Sequence, residues 1–208
     1  MIERVVFMGA KRLGFHSLQT LYKIDPEKLS AVITTDDRSD PQTSLLDFEK
    51  FSKTNSIPLF VIKERKEQLV VLDKIKPELC ILVGWPWLLK PELLARVPNG
   101  FIGIHGSLLP KYRGFTPLVW AMINGEKQTG ITLFYLAEQM DTGDYVSQTT
   151  IPITQHDTIA NILDKTADSI RQQFEEYYPM LLNGCAPRFS QDHSQAILCQ
   201  TEAHRRAH

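Results

Sequence analysis

The stretch Leu79-Cys80-Ile81-Leu82-Val83, followed by Gly84, decides the fold class. Five apolar residues with no polar break read as a strand covered on both faces. Working outwards, similar short runs recur. Val5 to Met8, Leu29 to Thr34, Pro58 to Ile62 and Phe101 to His105 are strands by the same reading. Between them lie segments with helical spacing: Leu13 to Tyr22, Leu45 to Lys53, Lys66 to Lys74 and Trp87 to Ala95. This alternation predicts an α/β fold with a doubly wound, mostly parallel sheet. Ligands of such sheets bind beyond the carboxyl ends of the strands. Gly9, Gly84 and His105 end three of these strands, so they are expected around one crevice.

The rhythm changes after His105. Pro117 to Asn124 reads as a helix ended by Gly125. Thr129 to Leu136 and Asp144 to Ile153 read as strands joined by the loop from Ala137 to Gly143. A long helix follows, with Asp157 as its expected cap. Ile159, Ile162, Leu163, Ala167, Ile170, Phe174, Tyr177 and Leu181 hold the helical period, and Asn183-Gly184 closes it. Beyond Pro187 the chain is polar, and an irregular C-terminal tail is expected over 186–208. The folded domain is then 1–185.

Composition narrows the function. Of 208 residues, 43% are hydrophobic, so the chain can bury a core. Lys and Arg number 23 against 24 Asp and Glu. That balance gives no general pull towards nucleic acid or an anionic membrane, so neither is expected as a partner. Homodimer formation stays open. The apolar stretch from Cys80 to Leu89 is broken by Gly84 and Pro86 and cannot span a bilayer. Val5 to Met8 is too short for a signal-peptide core. Three scattered cysteines, Cys80, Cys185 and Cys199, make neither a CxxC pair nor a zinc pattern, so no metal is expected. A reduced, cytoplasmic protein is the default.

Four segments carry candidate chemistry. Gly9-Ala-Lys-Arg-Leu-Gly14 lacks the full dinucleotide and phosphate-loop patterns, and glycine in a strand-to-helix turn has a steric reason alone. Lys11 is a secondary candidate for a substrate phosphate or carboxylate. Gly84-Trp-Pro-Trp-Leu-Leu89 places two tryptophans after a strand. A wall for a flat heterocycle and plain core filling are equally good readings. His105-Gly-Ser-Leu-Leu-Pro-Lys-Tyr-Arg-Gly114 delivers a histidine to a strand end beside a basic turn. Histidines so placed are more often structural than catalytic, and spacing alone does not reverse that. Asp141-Thr-Gly-Asp144 reads first as a solvated turn. An aspartate beside a histidine, however, favours the protonated ring and fixes its tautomer, which suits acid–base chemistry.

Taken together, His105 to Gly114, Trp120 to Thr132 and Asp141 to Asp144 resemble the 10-formyltetrahydrofolate-dependent formyltransferases. The looser resemblance covers residues 1 to about 200. It implies a Rossmann-like sheet and 10-formyltetrahydrofolate as formyl donor. It makes His105 the catalytic acid–base and Asp141, 36 residues on, the group that orients it. Folate is then held by Trp87, Leu88 and Leu89 and by Ala137, Glu138, Gln139, Met140 and Asp141. Lys11, Ser107, Lys111 and Tyr112 are the expected substrate contacts. The Lys111-Tyr112-Arg113 turn most resembles enzymes acting on nucleotide-linked amino sugars, so a small-molecule amine of that class is the expected acceptor. One departure stands out. Most family members carry an oxyanion-stabilising asparagine where this chain has Gly103. A hydrolase releasing formate from the same folate, or a folate-binding module without turnover, are the alternatives.

Overall fold

The buried strands build the frame. A computed structural model describes residues 1–199 and divides the chain into two units, Met1–Gly103 with Phe174–Ala186, and Ile104–Gln173 with the chain from Pro187 onward.

In the first unit β1 (Val5–Gly9) leads through α1 (Lys11–Ile24) to β2 (Leu29–Thr35). The chain continues through α2 (Leu45–Thr54), β3 (Leu59–Ile62), α3 (Glu67–Ile75), β4 (Leu79–Val83), α4 (Pro91–Leu94) and β5 (Phe101–His105), whose last two residues, Ile104 and His105, belong to the second unit. Strand β1 pairs in parallel with β2 and β4, β2 with β3, and β4 with β5. Val5, Val6, Phe7 and Met8 are wholly inaccessible, as a strand between two layers requires. The chain winds outwards from β1 to β3 and then restarts on the other side with β4. The reversal point therefore lies at the ends of β1 and β4, where Gly9 and Gly84 sit. Gly84 has φ +67°, and a Cβ there would lie 2.6 Å from the Ala10 carbonyl oxygen. The glycines of the Gly9–Gly14 turn likewise meet backbone: a Cβ on Gly14 would reach 2.9 Å from the Val83 carbonyl oxygen. Steric need accounts for them. Cys80 is buried, and burial pushes its thiol well above its ordinary pKa, which makes it inert packing.

The expected helix from Trp87 to Ala95 is corrected to the four residues of α4. Pro91 disfavours helical geometry in the residue before it, and Lys90 is extended at φ −79°, ψ 155°. Trp87 and Leu88 therefore lie in irregular chain.

The second unit contains β6 (Arg113–Gly114), α5 (Pro117–Ile123), β7 (Gln128–Tyr135) and β8 (Tyr145–Pro152), then most of α6 (Ile159–Leu182), and β9 (Leu198–Cys199). Strands β7 and β8 are antiparallel and complete the strand order β3-β2-β1-β4-β5-β7-β8, so the sheet is mostly parallel. Helix α6 buries Ile162, Thr166, Ser169, Ile170, Gln173, Phe174, Tyr178 and Leu181 as one stripe. Its cap differs from expectation. Thr158 Oγ1 accepts the Asn161 N–H, and Asn161 Oδ1 accepts the Thr158 N–H. Asp157 instead accepts from Thr154 and pairs with Lys165 at 2.8 Å. A Schellman-type close, with Cys185 N–H on the Met180 carbonyl and Gly184 at φ +68°, ends the helix.

The expected irregular tail over 186–208 lies outside the described residues from 200 on; its described part, up to Cys199, has little regular structure, yet it is anchored. Residues His193–Gln195 form a 3-10 turn, β9 pairs in parallel with β6, and Phe189 bridges Tyr145.

Among the described residues no helix is long and apolar enough to cross a membrane, and no group of three metal-binding side chains occurs.

Candidate functional site

Strand β5 carries His105 to its carboxyl end, where the side chain is 9% exposed. Its Nε2 lies 2.7 Å from the Tyr112 carbonyl oxygen. A carbonyl only accepts, so Nε2 carries a proton. The other ring nitrogen, Nδ1, faces Asp141 Oδ2 at 3.5 Å. That separation is longer than a settled hydrogen bond. The Phe134 ring stands edge-on to the imidazole, with centroids 6.4 Å apart.

Asp141 comes from the loop between β7 and β8. Its backbone is left-handed, at φ +56°, an uncommon conformation for a residue with a side chain. Its Oδ2 accepts the Gly114 N–H at 2.8 Å. Gly114 has φ +105°, and a Cβ there would lie 2.4 Å from the Cys199 carbonyl oxygen, so only glycine fits. The second acid, Asp144, does not join the pair. It binds Arg188 at 2.9 Å, and that bond holds its carboxyl below the usual range.

The Ser107–Pro110 turn is fixed from beneath. Buried Thr132 Oγ1 donates to the Ser107 carbonyl at 2.6 Å and accepts the Leu109 N–H at 3.1 Å. Gln148 Nε2 donates to the Leu109 carbonyl at 2.7 Å.

The expected substrate contacts fall into different places. Ser107 is buried, and its hydroxyl donates to the Lys111 carbonyl. Tyr112 is buried, with its hydroxyl donating to Glu126 at 2.5 Å; burial first and this carboxylate second raise its pKa. These two side chains brace the turn, and the part of Tyr112 that reaches His105 is its carbonyl. Lys111 is exposed. In the first unit Lys11 pairs with Asp40 at 2.9 Å.

The expected folate residues are likewise distributed. Trp87 is half-buried and edge-on to Trp85, with ring centroids 5.6 Å apart. Leu88 is exposed and Leu89 is buried. In the other loop Glu138 and Gln139 are exposed, and Ala137, Met140 and Asp141 are half-buried.

Two residues gain weight from the structure alone. Arg113 is buried, and its Nε and Nη2 donate to Gln191 Oε1 at 3.2 and 2.5 Å. Burial lowers the Arg113 pKa, and the nearby charge of Asp141 opposes that shift. Gln191, in the tail, was hidden by polar surroundings typical of a loop.

Comparisons with known proteins bear on the family and the fold of the chain. Residues 24–177 match the formyl transferase family. Methionyl-tRNA formyltransferase of Desulforamulus reducens is 33% identical over 198 residues, covering 93% of this chain and 62% of the relative. The same enzyme of Pelotomaculum thermopropionicum is 34% identical over 193 residues, covering 90% and 61%. The chain thus spans a little over three fifths of the length of these curated relatives. Among solved structures, the N-formyltransferase of Helicobacter canadensis in complex with folinic acid and dTDP-3-aminofucose has a TM-score of 0.75 at 21% identity, covering 96% of this chain and 71% of that one. Glycinamide ribonucleotide transformylase 1 of Symbiobacterium toebii has a TM-score of 0.76 at 19% identity, covering 92% and 95%. The two solved structures bear on the fold. The family match takes in more than half of the sequence and spans both His105 and Asp141, and on that ground the chain belongs to the formyl transferase family.

Proposed function

We propose that the chain transfers a formyl group from 10-formyltetrahydrofolate to the amine of a small molecule, with a nucleotide-linked amino sugar as acceptor class. The observation that carries this reading is the His105–Asp141 pair, with Nε2 tied to a carbonyl and Nδ1 facing a carboxylate at 3.5 Å. The folate supplies the formyl carbon as an electrophile. The amine nitrogen bonds to the formyl carbon, the carbon–N10 bond breaks and tetrahydrofolate leaves; His105 Nδ1 accepts the proton that the attacking amine must lose and returns it to the departing N10, while Asp141 stabilises the charge the ring carries in between. The Tyr112 carbonyl keeps the ring from rotating during that exchange.

The loop Ala137–Asp141 suits a pteridine by its chemistry. It is irregular chain with exposed and half-buried residues, and backbone donors and acceptors match those of the ring. We assign folate contact to this loop and to Trp87, Leu88 and Leu89 on the pattern of the family. Lys111, and in the first unit Lys11, are the assigned contacts for acceptor phosphates. The near-zero net charge favours a small acceptor over a nucleic acid.

Two other readings rest on specific observations. The curated relatives are methionyl-tRNA formyltransferases, which favours a charged tRNA as acceptor. Gly103, in place of an oxyanion donor, favours a folate-binding module without turnover. One experiment separates all three: the protein is incubated with 10-formyltetrahydrofolate and a thymidine-diphosphate amino sugar, or methionyl-tRNA, or no acceptor. Formylated sugar supports the proposal. Formyl-methionyl-tRNA or free formate replaces it, and folate left intact in all three arms refutes catalysis.

A further inference from the structure

Gln191 lies 78 residues from Arg113 and 50 from Asp141 in sequence, yet its amide is fully used between them. Oε1 receives both Arg113 bonds. Nε2 donates to the Asp141 carbonyl at 2.9 Å and the Gly143 carbonyl at 2.6 Å. The side chain is buried. Arg113 also donates to His193 Nδ1 at 2.9 Å, so the guanidinium is held from the tail on two sides.

The position of Arg113 gives these bonds their meaning. The residue before it, Tyr112, supplies the carbonyl that holds His105 Nε2. The residue after it, Gly114, supplies the N–H that holds Asp141 Oδ2. Arg113 is therefore flanked by the two backbone groups that seat the pair. Gln191 closes the circuit by tying the Arg113 side chain to the backbone of Asp141 itself. That backbone is left-handed at φ +56°, a conformation that persists only where its surroundings over-determine it. The main chain of β6 is fixed from the same segment, since Arg113 N–H donates to the Ile197 carbonyl at 2.8 Å.

We infer that Gln191 is a positioning residue for the reaction. It sets the 3.5 Å register between His105 and Asp141 by coupling the Arg113 turn to the Asp141 loop, and the tail segment from Gln191 to Cys199 is thereby part of the catalytic apparatus. This rests on the acid–base reading of His105 and Asp141 proposed above.

Two substitutions divide the role. Gln191→Glu keeps an acceptor for Arg113 and loses the donors to Asp141 and Gly143. Gln191→Met loses both. Each is followed by melting temperature, by kcat and KM for 10-formyltetrahydrofolate, and by the ¹⁵N signals of the His105 ring in the full chain, with Asp141→Asn as reference. A misplacement of about 1 Å in such a pair costs up to ~10²-fold in rate, so kcat should fall at least about tenfold in the folded Gln191→Glu protein. KM should stay within about threefold, because the loss falls on the reacting arrangement and not on uniform binding. The His105 ring signals should move towards those of Asp141→Asn. Wild-type kcat with unmoved ring signals overturns the inference. Loss of the fold in both variants also overturns it, because Gln191 is then a structural residue. If the wild-type protein turns over no formyl folate, the functional reading fails, and the ring signals still decide whether Gln191 registers the pair.

Discussion

Asp141→Asn removes one charge and almost no volume. The asparagine oxygen can keep the Gly114 N–H now bound at 2.8 Å, so the loop should hold its place. What is lost is the negative charge 3.5 Å from His105 Nδ1, because the same position then holds a neutral amide oxygen. Two unit charges about 4 Å apart interact by about 4 kcal/mol at an effective dielectric of ~20. That figure is a ceiling here, because both side chains keep some exposure, 9% for His105 and 17% for Asp141. Screening brings it nearer the roughly 1.5–3 kcal/mol of a charge-assisted hydrogen bond. At about 1.4 kcal/mol per tenfold, kcat should fall about 10²-fold. The assay follows tetrahydrofolate formation by absorbance under saturating donor and acceptor, with a melting curve on the same sample. A folded Asp141→Asn protein turning over at the wild-type rate would refute the pairing.

Three further expectations come from elsewhere in the chain. Gly103 lies in extended strand, two residues before His105 and therefore on the same face of β5, so Gly103→Asn is compatible with the backbone there. It should raise kcat towards the ~10²-fold that an oxyanion donor typically contributes, and an unchanged rate in the folded variant shows that another group already fills the role. The Tyr178 hydroxyl is buried and has no hydrogen-bond partner among the described residues, so Tyr178→Phe should stabilise by about 1 kcal/mol, read as a rise in Tm of roughly 2–4 °C; a fall in Tm contradicts it. Asp157 is held at about 2 by Lys165 and Thr154, below its unfolded value of ~3.9, so its contribution is complete above pH ~4 and is lost as pH falls towards 2. Asp157→Asn should therefore lower Tm at pH 6 and lose that deficit by pH 2; equal deficits at both pH values would count against the pairing.

Different parts of the molecule were legible in the sequence to different degrees, for physical reasons. Leu79–Val83 and Phe101–His105 match their expected bounds, because a strand buried on both faces leaves an unbroken apolar run. The segment after Gly84 misled, because its apolar residues look helical while Pro91 forbids the helix to begin earlier. Asp157 is a good cap by type, but Thr158 and Asn161 satisfy each other more locally, and Lys165 claims the aspartate. The glycines of the first turn were read correctly as steric, since a missing Cβ is a local demand. The burial of Ser107 and Tyr112 and their bonds to Lys111 and Glu126 were not legible, because polar side chains in a loop carry no mark of burial. Gln191 was illegible for a related reason. Its four bonds all reach distant partners, and no local pattern records a side chain that joins residues 113, 141 and 143.

In the proposed reaction a formyl group moves to an amine and His105 handles the proton. It is tested most directly with 10-[¹³C]formyltetrahydrofolate and an acceptor panel, reading the label by mass spectrometry in wild type and His105→Ala. Label should appear on the acceptor amine with the wild-type protein, and its rate of appearance should fall about 10²–10⁴-fold in a folded His105→Ala variant that still binds folate. Label recovered only as formate, or transferred at equal rates by both proteins, would contradict it.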